Sequence, residues 1–99
     1  MTTPEIALDA VVSAVKEQVS SDLGDEVAIL GLRRNVYYSL DGVGKRVWEM
    51  VQSPRPVGEI LDALLVRYAV DPVRCREDLL GLLQQMHDEG LIEIDRGGA

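Results

Sequence analysis

The side chains best suited to covalent or acid–base chemistry are scarce here: the chain holds one Cys, Cys75, and one His, His87. A thiol becomes a nucleophile when a base lies within hydrogen-bond reach. The two stand on one predicted helix, more than three turns and about 18 Å apart along its axis. They cannot form a nucleophile–base pair. Cys75 reads as a small core residue, and His87 as a surface or groove-edge residue. Glu77-Asp78 and Asp88-Glu89 are adjacent on a helix and diverge, so they read as a solvated face. No cluster of His, Cys or carboxylates has metal-ligand spacing. Gly42-Val43-Gly44-Lys45-Arg46 lacks the Walker spacing of a phosphate loop. The expectation is a protein that is not an enzyme and has no cofactor and no metal.

The elements that position these residues change character near residue 41. Before it the signals are strand-like. Glu26–Leu32 is apolar and β-branched, and Asn35–Leu40 alternates Val36, Tyr38 and Leu40 onto one face. With the polar connector Leu32-Arg33-Arg34-Asn35 the two runs predict a β-hairpin. Asn35 is the connector residue best able to take φ > 0. Upstream, Ala10–Val15 is compatible with a strand or a helix, and is read as a further strand of the same sheet.

Three helices follow. The first covers about 42–52, capped by Asp41, with Val43, Val47, Trp48 and Val51 at helical spacing. Ser53-Pro54-Arg55-Pro56 ends it. The second runs from about Val57 to Tyr68 on Ile60, Leu61, Leu64 and Leu65. Asp71 and Pro72 open the third, as cap and first-turn residue. Cys75, Leu79, Leu82, Leu83 and Met86 form its apolar stripe, and Gly90 is placed for a left-handed helix stop. Leu91–Asp95 reads as a strand and Arg96–Ala99 as a frayed end. Helix, turn, helix, Gly-Leu-Ile and strand is the pattern of a winged helix-turn-helix.

Composition sets the outer limits. At 99 residues the chain is one domain. A hydrophobic fraction of 46% argues against disorder. No apolar run reaches the ~20 residues of a membrane span. A lone Cys suits a reducing compartment, and Met1–Glu5 lacks the features of a signal peptide. The expected location is the cytoplasm. The net charge of −7 opposes phosphate binding. The third helix, which would enter the major groove, sets Arg74 and Arg76 against Asp71, Glu77, Asp78, Asp88 and Glu89. No nucleic acid and no membrane is the expectation. A winged-helix module for DNA or for a folded protein is the alternative from another class.

A peptide partner has a positive argument. A strand 35–40 at a sheet edge offers free backbone N–H and C=O groups to an added strand. Arg33, Arg34, Tyr37 and Tyr38 enrich that edge in residue types common at contact surfaces.

These residues carry a resemblance. Val36-Tyr37-Tyr38-Ser39-Leu40-Asp41-Gly42-Val43-Gly44, Val47-Trp48, Pro56-Val57, Tyr68-Ala69-Val70-Asp71-Pro72, Glu77-Asp78-Leu79 and Gly90-Leu91-Ile92 resemble the PqqD-like family. This is the family of the pyrroloquinoline-quinone synthesis protein D, also called the recognition element of ribosomally made, modified peptides. The match covers about 26–94 of a single domain, 1–99. It implies an α+β fold: a three-stranded antiparallel N-terminal sheet packed on a three-helix winged helix-turn-helix body. It implies no catalysis, and binding of the leader segment of a precursor peptide as a strand beside the third strand. Carried over, the peptide-binding positions are Arg33, Arg34, Asn35, Val36, Tyr37, Tyr38 and Ser39. The wall adds Arg74, Cys75, Asp78, Leu79 and Leu82, and the cleft draws also on Ala28 and Leu30. The resemblance is greatest to the free-standing lasso-peptide members, where Asp22–Glu26 looks like the turn before the second strand. The partners implied are a precursor leader peptide, a leader peptidase and an ATP-dependent cyclase. The alternative within the family is a peptide chaperone for pyrroloquinoline-quinone or another modified-peptide pathway.

Overall fold

A computed structural model describes residues 6–95. The readings of Met1–Glu5 and Arg96–Ala99 lie outside the described residues. The elements are β1 (Val11–Ala14), β2 (Gln18–Asp22), β3 (Glu26–Gly31), β4 (Val36–Asp41), α1 (Gly42–Met50), β5 (Arg55–Pro56), α2 (Val57–Arg67), α3 (Pro72–Asp88) and β6 (Ile92–Asp95). They form two antiparallel sheets, β2–β3–β4 and β5–β1–β6, together with three helices. The α+β expectation holds, with one correction to its parts. The strand read at Ala10–Val15 does not join the β3–β4 hairpin. It becomes β1, paired with β6 from Val11↔Asp95 to Ala14↔Ile92 and with β5 at Val11↔Pro56. The first strand of the other sheet is β2, which sequence patterning did not show. The strand that follows α3 in the winged pattern, β6, therefore has β1 as its partner.

Local chemistry explains the boundaries. In the β2–β3 turn Gly24 sits at φ +94, and its N–H donates to Asp22 Oδ1 at 2.9 Å. Asn35 takes φ +54 in the β3–β4 turn, as its type predicts. Asp41 stands at the N-cap of α1, but its side chain makes no capping bond. The start of α2 has no side-chain cap either. Its first amides are met by backbone: Val57 N–H donates to the Ala10 carbonyl at 2.9 Å, and Gly58 N–H to that of Leu8 at 2.8 Å. A Cβ on Gly58 would lie 3.4 Å from that Leu8 oxygen, so a side chain there crowds the cap. Asp71 caps α3 by accepting from Val73 N–H at 3.4 Å. Gly90, at φ +76, stops α3 in a Schellman arrangement. Its amide donates to the His87 carbonyl, and that of Leu91 to the Met86 carbonyl.

The core lies between the sheets and the helices. Val12, Ile29, Val47, Val51, Val57, Ile60 and Leu83 are fully buried, with Trp48 among them. Each such aliphatic side chain contributes about 1.5–3 kcal/mol by leaving water. Lys45 ties α1 to the β2–β3 turn, donating to Asp22 Oδ1 at 2.8 Å and to the Gly24 carbonyl. The Lys45 bond holds the Asp22 carboxyl below its ordinary value, helped by the Gly24 amide, and raises Lys45.

Candidate peptide-binding site

In the order β2–β3–β4, β4 pairs with β3 on one side and, among the described residues, has no strand on the other. Successive side chains on a strand point to opposite faces. The register sets Tyr38 opposite Ile29 and Leu40 opposite Val27, and these four pack on the core. Tyr37 pairs with Leu30 and Ser39 with Ala28, on the other face. The open edge of β4 runs along a groove whose far wall is α3.

The groove encloses about 480 Å³. Ser39, Leu40 and Asp41 line it from β4, Val43 and Gly44 from α1, and Leu64, Tyr68 and Val70 from α2 and the turn after it. From α3 come Arg74, Cys75, Asp78, Leu79 and Leu82. The lining is mainly apolar, with charge confined to the rim. A smaller hollow of about 120 Å³ lies alongside, sharing Ser39, Leu40 and Leu82 and adding Tyr38, Gln85, Met86, Glu89 and Leu91.

The structure brings together six of the residues read from the sequence: Ser39, Arg74, Cys75, Asp78, Leu79 and Leu82. Tyr38 lines the hollow. Val36 and Tyr37 lie on the same edge strand, Tyr37 being 67% exposed. Arg33, Arg34 and Asn35 stand in the turn beyond the strand, and Arg33 Nη2 donates to Glu17 Oε1 at 3.3 Å. The Glu17 carboxyl is held below its ordinary value by its own backbone amide first and by Arg33 second. Ala28 and Leu30 do not line the groove; on central strand β3 they alternate with Val27 and Ile29, Ala28 buried and Leu30 half-buried. The unbroken apolar run 27–30 hides the alternation that separates them from Val27 and Ile29. Sequence reading also passed over Val43, Leu64, Tyr68, Val70 and Glu89 as lining residues. The first three sit on the apolar stripes of their helices or at a stripe's end, and that was the available signal.

The electrostatics are modest. Arg74 Nε lies 3.9 Å from Asp78 Oδ2, and both side chains are largely solvated. Such a pair adds little to stability. Burial pushes the Cys75 thiol up, and the nearby Asp78 carboxylate adds to the effect. Cys75 is half-buried and packs on the core from the groove side, whereas His87 is exposed. Tyr38 Oη donates to Glu89 Oε2 at 2.6 Å. That bond, then burial, raises the Tyr38 phenol above its ordinary value. Among the described residues no three His, Cys, Asp or Glu groups are placed to hold a metal ion. No helix among them is long and apolar enough to cross a membrane. An unpaired strand edge beside an apolar trough suits the capture of an extended chain.

The family model described as coenzyme PQQ synthesis protein D, PqqD, matches residues 26–92, from the first residue of β3 into β6. The chain belongs to the PqqD family. One solved structure, TbiB1 in complex with the TbiA(beta) leader peptide, is 34% identical to this PqqD-family chain at a TM-score of 0.76. The likeness covers 88% of this chain and 98% of that one. No curated protein matches the sequence.

Proposed function

We propose that this protein recognises the leader segment of a ribosomal precursor peptide by adding it as a strand to the open edge of β4, against α3. The observation that carries this reading is the unpaired edge of β4 running beside an apolar groove of about 480 Å³ walled by α3. The leader peptide bound in the TbiB1 structure supports it. Backbone pairing supplies affinity without regard to sequence, and alternate side chains entering the groove supply specificity. The role is binding rather than catalysis, carried by the single domain 1–99 in the cytoplasm. The bound precursor is then delivered to a leader peptidase and an ATP-dependent cyclase of lasso-peptide maturation. The site residues are those of β4, from Val36 to Ser39, with Arg74, Cys75, Asp78, Leu79 and Leu82 across the groove. Arg33, Arg34 and Asn35 meet the end of the added strand.

The test uses a fluorescein-labelled synthetic leader and fluorescence anisotropy. Binding in the micromolar range or tighter is expected, worth about 8 kcal/mol or more. Tyr37→Pro places a ring and a missing N–H in the edge strand, and affinity falls about tenfold. Unchanged affinity in a folded Tyr37→Pro protein overturns strand addition. Delivery is tested separately: the peptidase cleaves the precursor faster in the presence of this protein. Equal rates with and without it overturn that step.

A further inference from the structure

α3 ends in two consecutive acids, Asp88 and Glu89. Carboxylates at a helix C-terminus meet the negative end of the helix dipole, which disfavours them. The helix does not need Glu89's side chain to stop, because Gly90 and the amides of Gly90 and Leu91 already close its last turn. Asp88 serves the helix surface, accepting from Gln84 Nε2 at 3.0 Å. Glu89 instead reaches a different element. The Tyr38 hydroxyl donates to Glu89 Oε2 at 2.6 Å, across 51 positions of sequence, in a partly buried site. That length belongs to a charge-assisted O–H to carboxylate bond, among the stronger hydrogen bonds in proteins. A residue that breaks a local rule and makes one strong distant contact is placed for that contact.

The contact sits where it governs the groove. Tyr38 lies in the edge strand and packs on the core, opposite Ile29. Glu89 lies at the C-terminal end of the helical wall. Together they border the 120 Å³ hollow, which shares Ser39, Leu40 and Leu82 with the larger space beside it. A peptide laid beside β4 must pair its backbone with the strand and bury side chains against α3 at the same time. Both can happen only when the walls stand one strand apart, and a fixed spacing lowers the ordering cost of binding.

We propose that Glu89 is a positioning residue for peptide recognition, tying the edge strand to the end of α3 through Tyr38 and holding the groove at the width of one added strand. This rests on the leader-binding reading above. The test is a double-mutant cycle on Tyr38→Phe and Glu89→Ala, with Glu89→Gln as the conservative variant and Asp88→Asn as a neighbour outside the tie. Leader affinity is read by anisotropy, and folding by circular dichroism and urea unfolding. Tyr38→Phe keeps the ring in place, and Glu89 lies at a helix end, so both variants are expected to fold. Each of Tyr38→Phe and Glu89→Ala weakens leader binding about tenfold, and the double variant no further. Glu89→Gln, whose amide oxygen still accepts, loses about threefold, and Asp88→Asn stays within twofold. Folded variants that bind within twofold of the parent overturn the proposal, even if they are less stable, because the tie then serves the fold alone. Additive losses overturn it too. A parent protein that binds no leader overturns the leader-binding reading itself, a separate and distinguishable result.

Discussion

Cys75 offers a direct measure of whether a peptide occupies the groove. It lines the groove from α3, half-buried, and is the only thiol of the chain. The perturbation is alkylation with iodoacetamide, with and without leader peptide. Burial first, and Asp78 second, raise the thiol above its ordinary value. A free thiol with a pKa near 8.5 is about one quarter thiolate at pH 8, so Cys75 holds less than that. Only the thiolate reacts. Alkylation is therefore slow at pH 8 and rises with pH, by up to about tenfold per unit well below the raised pKa and less as it is approached. On the proposed reading, leader binding shuts the groove over the sulfur. At a free peptide concentration of about 100 Kd, about 1% of the protein remains open, and the rate falls by up to about a hundredfold. Protein alkylated beforehand carries a bulky polar group on the groove wall and loses most leader affinity. Mass spectrometry of quenched time points gives both rates. Equal rates for free and leader-saturated protein refute the placement of the peptide against Cys75.

Further outcomes are expected. Gly81 lies within α3, and a Cβ added there meets nothing within 4 Å. Gly81→Ala stabilises the fold by about 1 kcal/mol through helix propensity, raising Tm by about 4–8 °C; a calorimetric scan showing no rise argues against a regular α3 at that point. Asp78→Lys breaks only a solvated pair, so urea unfolding changes by less than about 1 kcal/mol. Its effect on affinity follows leader charge: a leader with a cation near this wall binds less well and one with an anion binds better. The Tyr38 phenol is raised above the ordinary tyrosine value by its bond to Glu89. Since the folded value is the higher, this contribution to stability is complete below the unfolded tyrosine pKa and is lost as pH climbs through the folded one. Ultraviolet titration of the parent shows a late-ionising phenol that Tyr38→Phe removes.

What could be read before the structure follows from where the physics is local. Asp71-Pro72 and Gly90 are short-range stop and start signals, and α3 begins and ends where they put it. Asn35 and the alternation of Tyr38 and Leu40 likewise set the β3–β4 hairpin from its own residues. β2 was hidden because Gln18, Ser20, Ser21 and Asp22 are polar and its one large apolar residue, Val19, is 58% exposed. It is a strand because β3 pairs with it, not because of its own pattern. The destination of β1 was hidden for a related reason. Val12 demands burial, but nothing near it in sequence says that Ile94 is its partner. Half of the groove was legible from the stripe of α3 and the edge strand. Glu89 was not, since an acid beside another acid at a helix end reads as solvated surface until Tyr38 is found against it.

The two sheets differ in when they can form. β2, β3 and β4 are joined by short turns, so each pairing closes a small loop. The β1–β6 ladder joins Ala14 to Ile92, which closes nearly the whole chain. A loop about tenfold longer costs roughly 2 kcal/mol more entropy to close, and distant pairings form slowly. During synthesis the edge strand proposed to capture a peptide can be paired long before β6 leaves the ribosome. The helical wall of the groove comes next, and the β1–β6 ladder comes last. On the leader-binding reading, competence to hold a peptide therefore waits for the α3 wall, although the strand that would meet the peptide is among the first to be made.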